Sequence, residues 1–316
     1  MIRSSLVLVF GSYMQDQVYR CAEFPAPGQT VKGELAIGHG GKGSNQAIAA
    51  GRLGAPTLFV GAVGDDAVGR EARAFYRSEG IGNRFIVKRG IPTGVAGILV
   101  DGLGRNEIVI APGANERLGS RDIPDRLLRS AGIVVTQLEG DPKATLAVLK
   151  RARAMKVATL LNPAPLGSDF DLLLLRYVDI LVPNESEFIA LAAKIGRTLS
   201  EAELTDRTAE QLNELCRQLN VPTVVVTLGA RGCFVSTPDR FELLPVHKGI
   251  KVVDTTGAGD AYCGGFAAGF VREKGDVFAA ARLGNAVGAL SVTKPGTAAA
   301  MPRAAAVAKL LRSFRS

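Results

Sequence analysis

Short apolar runs alternate with helix-like stretches along most of this chain. The apolar runs are residues 6–10, 57–63, 133–137, 157–161, 180–183 and 223–227. Between them, stretches such as residues 144–154 and 185–194 read as helices. Strands that alternate with helices in this way form βαβ units, in which a mostly parallel sheet carries helices on both faces. The chain is therefore predicted to adopt an α/β fold.

Two segments, residues 13–37 and 93–111, break this rhythm because they contain strand-like runs with no helix between them. In the second segment the runs flank residues 101–104, DGLG, a composition that is typical of a hairpin turn. We expect the two segments to form a small antiparallel sheet that is inserted into the main domain as a lid. The whole chain, residues 1–316, is predicted to be one domain, and its Ala-rich stretch 298–308 is predicted to be a C-terminal helix.

Composition and charge argue against several classes of protein. The net charge is +8, but the basic residues are scattered, so we predict no nucleic-acid partner. The N-terminal apolar run is too short for a membrane span or a secretion signal, which favours a cytoplasmic protein without a membrane partner. Four dispersed cysteines and two histidines do not suggest a disulfide framework or a zinc site.

Residues 251–270, KVVDTTGAGDAYCGGFAAGF, read as the end of a strand, a glycine turn and a helix. The helix is indicated by apolar residues with the spacing of one helix face: Cys263, Phe266, Ala267 and Phe270. A helix that begins in this turn has unpaired N–H groups and the positive end of its dipole there, so the backbone of Gly257, Ala258 and Gly259 can hold an anion. Asp260 then either caps the helix or acts as a base beside a bound phosphate.

A second glycine cluster, GHGGKGSNQAIAAGRLG, spans residues 38–54. Gly38, Gly40 and Gly43 match the G-x-G-x-x-G pattern of dinucleotide-binding units, but the run before them does not read as a buried parallel strand. The cluster also departs from the phosphate-binding P-loop pattern. It reads either as a tight turn that presents Lys42 and Asn45 at a helix start, or as glycines that permit close helix packing.

Together the two clusters resemble the two signatures of the ribokinase family, the PfkB-type carbohydrate kinases. Residues 40–55, GGKGSNQAIAAGRLGA, are similar to the N-terminal signature, and residues 254–266, DTTGAGDAYCGGF, to the C-terminal one. Between them, further family segments occur in the family's order: VGDD (63–66), TGVAGILV (93–100), QLEG (137–140), LNPAP (161–165), PNESE (183–187) and VTLGARG (226–232). The resemblance covers essentially the whole chain. It implies a three-layer α/β/α sandwich with a small β-sheet lid, and transfer of the γ-phosphoryl group of ATP to a sugar hydroxyl.

The resemblance also implies roles for residues at matching positions. It makes Asp260 the base that accepts the proton of the sugar hydroxyl, and the backbone of Gly257, Ala258 and Gly259 the anion hole. The residues that would hold the sugar are Asp16, Gly41, Lys42, Asn45, Glu139 and Asp260. The residues that would border the nucleotide are Asn184, Thr227, Gly229, Gly232 and Asn285. Asn184 and Glu187 would organise a water-ligated Mg²⁺, although this pair also has the spacing of a helix capping box.

A monovalent cation and a second subunit are implied in the same way. Asp254 and Thr256, with backbone near Ser291, Lys294 and Gly296, resemble a cation site that braces the anion hole, and K⁺ is the expected ion. Ala300 stands where ribokinases tend to have a serine, which removes one oxygen ligand. The lid is expected to pair with the lid of a second copy in a homodimer.

The stretch GSYMQDQV, residues 11–18, bears on the choice of sugar. Ribokinases usually carry an asparagine where this chain has Met14, and they share the aspartate found here as Asp16. A thioether donates no hydrogen bond, so a hydroxyl buried against Met14 would lose one, whereas a sugar with hydrogen at that carbon would not. We therefore predict phosphorylation of the 5-hydroxyl of 2-deoxyribose, with ribose as the alternative if Met14 only fills space. Another sugar, a nucleoside, or a nucleotide-dependent dehydrogenase built on residues 38–43 are the remaining hypotheses.

Overall fold

A nine-stranded sheet forms the centre of the molecule, and a second sheet has four strands. The computed structural model describes residues 4–313. In chain order, the strands are β1 (Val7–Phe10), β2 (Met14–Cys21), β3 (Gly33–Gly40), β4 (Thr57–Gly64), β5 (Gly82–Lys88), β6 (Val95–Val100), β7 (Asn106–Ala111), β8 (Ile133–Thr136), β9 (Ala158–Leu161), β10 (Ile180–Leu181), β11 (Thr223–Thr227), β12 (Cys233–Ser236) and β13 (Phe241–Leu244). The α-helices are α1 (Lys42–Arg52), α2 (Ala67–Glu79), α3 (Asp125–Ser130), α4 (Pro142–Ala154), α5 (Glu185–Lys194), α6 (Glu201–Asp206), α7 (Ala209–Gln218), α8 (Ala258–Arg272), α9 (Val277–Ser291) and α10 (Ala304–Ser313).

The large sheet is mostly parallel. Its strands lie in the order β13, β12, β11, β10, β9, β8, β1, β4 and β5. The strands from β11 to β5 pair in parallel, and β12 and β13 are added as antiparallel neighbours at one edge. Parallel neighbours need a crossover connection, and the helices that alternate with the strands supply it.

Strand β1 shows why helices cover both faces of this sheet. Val7 and Val9 point to one face and belong to the core formed with helices α1, α2, α8 and α9. Leu8 and Phe10 point to the other face and pack with α3 and α4, while α5 and α7 cover that face further along the sheet. Because successive side chains of a strand alternate, a strand that is apolar throughout needs partners on both sides. The predicted layered α/β fold is confirmed.

The four-stranded sheet, which we call the lid, comes from the two segments that break the sequence rhythm. Its strands lie in the order β3, β2, β6 and β7; the outer pairs are antiparallel and the central pair, β2 with β6, is parallel. The turn between β6 and β7 lies at the predicted hairpin. Strand β3 continues to Gly40, beyond the predicted segment end at residue 37. A glycine is needed there, because a Cβ at Gly40 would lie 2.2 Å from Asp16 Oδ1.

This position of β3 decides one of the alternatives. Gly38 and Gly40 lie in a strand that pairs antiparallel with β2 in the lid, not at the end of a parallel strand of the large sheet. A dinucleotide-binding unit requires the latter arrangement. The interpretation of residues 38–43 as a dehydrogenase motif is therefore wrong, and the glycines instead lead into α1 through Gly41, whose φ is 86°.

Helices α1 and α8 are in direct backbone contact. A Cβ at Gly264 of α8 would lie 2.4 Å from Gln46 O and 2.6 Å from Ala49 Cβ, both on α1. A larger residue would force the two helices apart, which close-packed interiors do not accommodate cheaply. The N-terminal halves of α1 and α8 are therefore held at a fixed separation.

Two local predictions are wrong. Residues 251–253 do not form a strand: Val252 and Val253 are 60% and 55% exposed, and Val253 N donates to Val292 O beyond the end of α9. Their β-branched side chains favoured a strand, but this connection is held by a helix end rather than by a sheet. Residues 298–308 are not one helix, because a 3₁₀ turn over Ala298–Ala300 is separated from α10 by Pro302, which cannot continue a helix that precedes it.

Within residues 4–313, no helix is long and apolar enough to cross a membrane. All four cysteines are unpaired thiols. Burial raises the pKa of the Cys233 thiol to about 12, so this group is a packing residue rather than a nucleophile.

Candidate active site

Helix α8 begins at a glycine turn that can bind an anion. Gly257 precedes the helix with a φ of 76°, a conformation that favours glycine. Ala261 N donates to Gly257 O, so the N–H groups of Gly259 and Asp260 come before the first hydrogen bond of the helix. A Cβ at Gly259 would meet no atom within 4 Å, which leaves open space beside the turn. Unpaired N–H groups and the helix dipole favour a phosphate oxygen at this place.

Asp260 lies at this turn and is only 5% exposed. Its Oδ2 accepts a hydrogen bond of 3.0 Å from Asn45 Nδ2, and its Oδ1 accepts one of 3.0 Å from Gln46 Nε2. A carboxylate that only capped α8 would accept from the backbone N–H groups of that helix. The partners of Asp260 instead lie on α1, so its carboxylate is positioned by the neighbouring helix.

Asp16 of β2 lies near Asp260, whose charge acts on it. It is 7% exposed, and its Oδ2 accepts a hydrogen bond of 2.7 Å from Thr297 Oγ1. Burial raises the pKa of Asp16 to about 6; the Thr297 bond opposes this, and the charges of Glu139 and Asp260 add to it. The mutual influence of Asp16, Glu139 and Asp260 indicates three carboxyl groups around one small space.

Lys42, at the start of α1, supplies the opposing charge. Burial alone would lower its pKa, but the carboxylates of Asp260, Glu139 and Glu187 raise it overall, so the ammonium group is held in its charged form. Glu139 accepts hydrogen bonds from Lys42 N, at 2.8 Å, and from the hydroxyl of Ser12. Burial raises the pKa of Glu139 despite these contacts.

The two polar atoms of the Asn45 side chain differ in their hydrogen bonding. Its Nδ2 is used by Asp260, whereas its Oδ1 is buried and has no hydrogen-bond partner among residues 4–313. A buried acceptor without a partner is costly. A ligand hydroxyl that reached this oxygen would satisfy it.

A cleft of about 690 Å³ opens beside the α8 turn. Ala258 and Gly259 line one end of it, so the cleft reaches the anion-binding turn. All the predicted nucleotide-binding residues line it: Asn184, Thr227, Gly229, Gly232 and Asn285. Asn285 Nδ2 donates to Leu244 O and Pro245 O, so this side chain also holds the loop after β13. The volume lies in the range of small-molecule sites.

Asn184 and Glu187 form the capping box that their spacing indicates. Asn184 Oδ1 accepts from Glu187 N at 2.8 Å, and Glu187 Oε2 accepts from Asn184 N at 2.9 Å. Burial raises the pKa of Glu187. The charges of Lys42 and Asp260 also act on it, so Glu187 lies near these two residues. Among the described residues, no group of three or more His, Cys, Asp or Glu side chains could hold a metal. Asn184 and Glu187 supply only a few oxygen ligands, so a Mg²⁺ held here would keep most of its water.

The predicted cation-binding residues are brought together in part. Asp254 Oδ1 accepts from Thr256 N and its Oδ2 accepts from Gly296 N, both at 2.9 Å. Burial raises the pKa of Asp254, but the bonds from Gly296 and Thr256 outweigh it and lower the pKa. The charge of Arg20 acts in the same direction. The carboxylate oxygens of Asp254 are of the kind that would ligate a bound cation. Ser291 directs its hydroxyl to Gly288 O and Lys294 is exposed, so these two could contribute backbone oxygen only.

Met14 lies on the inner face of the lid. It is 1% exposed and packs with Ala96 and Ile98 of β6. Side chains at alternate positions of a strand share a face, so Met14 and Asp16 lie on the same side of β2. Asp16 therefore lies on the same face as the apolar group of Met14, Ala96 and Ile98.

Four further residues of the site were not assigned from the sequence: Ser12, Gln46, Asn162 and Thr297. Gln46 and Asn162 stand inside the family segments GGKGSNQ and LNPAP, so a signal was present, but a sequence does not show which amide reaches which carboxylate. Thr297 carries no signal, because its hydroxyl reaches Asp16 across 281 residues of chain. Thr297 follows Gly296, whose N–H donates to Asp254. These two adjacent residues therefore connect Asp254 with Asp16.

Comparison with known proteins gives the family. The model of the pfkB family of carbohydrate kinases matches residues 4–304. The chain belongs to this family. Among curated pfkB-like relatives, a ribokinase of Mus musculus is 38% identical over 84% of this chain and 81% of its own length. A deoxyribokinase of Salmonella typhi is 33% identical over 94% of this chain and 95% of its own length.

Solved structures agree with this pfkB assignment. The ribokinase of Giardia lamblia superposes with a TM-score of 0.88 at 33% identity, covering 98% of this chain and 99% of the other. The Arabidopsis thaliana ribokinase, solved with ribose and ATP, gives a TM-score of 0.83 at 31% identity, covering 98% and 99%. The predicted family and its mostly parallel sandwich with a small β-sheet are confirmed, and the chain is a carbohydrate kinase.

Proposed function

We propose that this carbohydrate kinase transfers the γ-phosphoryl group of ATP to the 5-hydroxyl of a pentose. The observation that carries the proposal is the placement of Asp260, which is buried at an anion-binding helix start and held by amides of α1. Phosphoryl transfer needs a hydroxyl in line, a group that takes its proton and positive potential around the phosphate. Asp260 supplies the second, and the Gly257–Asp260 backbone supplies the third.

Each part of the pocket has a task in this proposal. Asp16, Asn45 and Glu139 accept hydrogen bonds from sugar hydroxyls, and Lys42 balances their charge. Asp260 accepts the proton of the 5-hydroxyl as the oxygen attacks. The cleft bounded by Thr227 and Asn285 binds the nucleotide. Mg²⁺, when bound near Asn184 and Glu187, neutralises charge on the phosphate oxygens.

The proposal is tested by ADP release across a panel of pentoses, hexoses and nucleosides. We expect the highest kcat/KM with a pentose. A hexose or nucleoside that exceeded every pentose would leave the kinase activity intact and overturn the substrate class. No ADP release with any of them would overturn the function itself.

The choice between pentoses is predicted to depend on Met14. The wild type is expected to use 2-deoxyribose at least as well as ribose, because a hydroxyl against the apolar Met14, Ala96 and Ile98 surface has no partner there. Met14→Asn should shift the ratio of kcat/KM toward ribose by about 10- to 100-fold, the effect of one buried hydrogen bond. The measurement is kcat/KM for both sugars in both proteins.

Met14→Leu is the matched control, since it changes the side chain but adds no hydrogen-bonding group. Its sugar ratio should stay near that of the wild type. A wild type that favours ribose tenfold or more, or a ratio that Met14→Asn leaves unmoved, means that Met14 only fills space.

A monovalent cation is predicted to raise activity. Asp254 holds the Thr255–Gly259 turn and is ionised, so a cation beside it would stabilise the turn that receives the phosphate. Turnover should be higher with K⁺ than with a tetraalkylammonium salt at equal ionic strength, and Asp254→Asn should remove the difference. Equal rates with both salts in the wild type would contradict the cation site.

We also propose a homodimer formed through the outer face of the lid, in the cytoplasm, where ATP and reduced thiols occur. Four apolar side chains are exposed on that face: Tyr19, Leu35, Ile37 and Val109. Such a patch typically marks an interface. Ile37→Lys should yield monomers in sedimentation experiments, whereas Leu173→Lys, at a partly exposed leucine elsewhere, should not. Monomeric wild type would refute the dimer.

A further inference from the structure

A network of buried amides lies behind Asp260. Gln46, near the start of α1, is fully buried, and its Nε2 contacts Asp260 Oδ1 at 3.0 Å and Asn162 Oδ1 at 3.1 Å. Gln137, after β8, donates from Nε2 to Gln46 Oε1 at 2.7 Å. The network thus joins the ends of β8 and β9 to the first turns of α1 and α8.

The orientation of each amide in this network follows from a backbone carbonyl. Asn162 Nδ2 donates to Val182 O at 3.0 Å, and a carbonyl oxygen can only accept. Asn162 must therefore present its Oδ1 to Gln46, which in turn must present its NH₂ group. The Oε1 of Gln46 is taken by Gln137. Both hydrogens of Gln46 Nε2 are then committed, one to Asn162 and one to Asp260.

These hydrogen bonds restrict the orientation of the Asp260 carboxylate and stabilise its negative charge. The terminal torsion of an aspartate is broad, so an unsupported carboxylate samples many orientations. Asp260 instead has one oxygen held by Asn45 and the other by Gln46. Each N–H donor also stabilises the ionised carboxylate in a site from which water is largely excluded.

We propose that Gln46 is a positioning residue that holds the Asp260 carboxylate in the orientation in which it faces the reacting hydroxyl. The inference rests on the proposed function, in which Asp260 is the base. Gln46 does not touch the sugar in this proposal and acts through Asp260 alone. A purely structural role accounts poorly for the network, because apolar side chains at these buried positions would avoid the desolvation of several amides. The neighbours of Gln46 along α1, Ala47 and Ile48, are apolar and fully buried.

The test uses Gln46→Met, which keeps the length of the side chain and removes its donors. In single-turnover experiments with saturating sugar and ATP, the rate of ADP formation should fall about 10- to 100-fold, the effect of one hydrogen bond to a charged group. The KM for the sugar should stay within about threefold, because Asn45, Asp16 and Glu139 are unchanged. The acidic limb of the rate–pH profile should move to higher pH, since the ionised carboxylate has lost a donor.

Gln46→Glu provides a second and independent readout. Two adjacent carboxyl groups hold one proton between them over a wide pH range, so the acidic limb should move further up than in Gln46→Met. Its side chain keeps the shape of glutamine and can still accept from Gln137. This variant decides the question if Gln46→Met fails to fold.

Gln137→Met is the control within the network, because Gln137 contacts Gln46 but not Asp260. It should move the acidic limb less than Gln46→Met does. If both variants lower thermal stability equally and neither moves the limb, Gln46 is a packing residue and the inference is overturned. If Asp260→Asn leaves turnover intact, the proposed function fails first. If Asp260→Asn abolishes turnover while the Gln46 variants keep the wild-type rate and profile, only the role of Gln46 is refuted.

Discussion

Asp260→Asn is expected to reduce kcat by at least about 100-fold while the protein remains folded. An amide cannot take the proton of the attacking hydroxyl, and a positioned general base is worth about 10²- to 10⁴-fold. Asparagine has nearly the same shape as aspartate, and its carbonyl oxygen can still accept from Gln46. Its NH₂ group can face Asn45 if the Asn45 amide turns to present the unpartnered Oδ1. The measurement is kcat for ADP release at saturating sugar, together with the affinity for the sugar and the thermal unfolding temperature.

Asp276→Asn is the matched control, because Asp276 also stands at a helix start. It accepts hydrogen bonds from Phe278 N and Ala279 N at 2.9 Å and caps α9. Asparagine is a good cap, so this variant should keep both its stability and its turnover. If Asp260→Asn behaves like Asp276→Asn, with near-normal kcat, Asp260 is not the base and the mechanism fails.

Asp16→Asn is expected to lower kcat/KM for the sugar by about 10- to 100-fold and, at pH 7, to stabilise the fold. The loss of activity reflects a charged acceptor replaced by a neutral one. The gain in stability follows from the pKa of Asp16, which burial raises from 3.8 to about 6. An acid with a raised pKa favours the folded state at low pH, and this contribution is lost as the pH rises from about 4 through 6. At pH 7 the ionised Asp16 therefore costs stability, on the order of 2–3 kcal/mol.

The measurement is the free energy of unfolding at pH 7 and at pH 4.5 for wild type and Asp16→Asn. The difference between them should be largest at pH 7 and shrink at pH 4.5. Asp101→Asn, in the turn between β6 and β7 of the lid, is a control of opposite sign, because Arg105 and nearby N–H groups outweigh burial and lower the pKa of Asp101. It should lower the unfolding temperature. An Asp16→Asn variant less stable than wild type at pH 7 would show that Asp16 carries no such cost.

The two glycine clusters led to the correct family because phosphoryl transfer constrains backbone as well as side chains. Gly41 and Gly257 both have positive φ, and Gly43 has no room for a Cβ, which would lie 2.8 Å from the backbone of Gly11. Because such positions accept little besides glycine, the motifs can be recognised in a single sequence. The parallel sheet was predictable for a similar reason, since strands such as β1 must be apolar on both faces.

Contacts between distant segments were not predictable in the same way. The Thr297–Asp16 and Gln46–Asp260 hydrogen bonds each join residues more than 200 positions apart. Threonine, glutamine and aspartate occur in many environments, so these residue types do not indicate which partners they contact. Residues 251–253 failed for the opposite reason: β-branched side chains describe a local preference, and the surrounding structure gives this segment no strand to pair with among the residues described.

The backbone contact at Gly264 has a consequence for how such an enzyme can change its substrate. In the proposed mechanism Asn45 holds a sugar hydroxyl and Asp260 takes the proton of the reacting one. These two residues lie on helices α1 and α8, whose spacing is set by Gly264. Met14 lies on β2, a strand of the lid, and on neither of these helices. Single substitutions on β2 can therefore change the sugar selectivity while Asn45 and Asp260 keep their relative position. A lineage can then exchange one sugar for another without passing through an inactive ancestor. Redesign toward a new sugar should vary the inner face of the lid and leave Gly264 untouched.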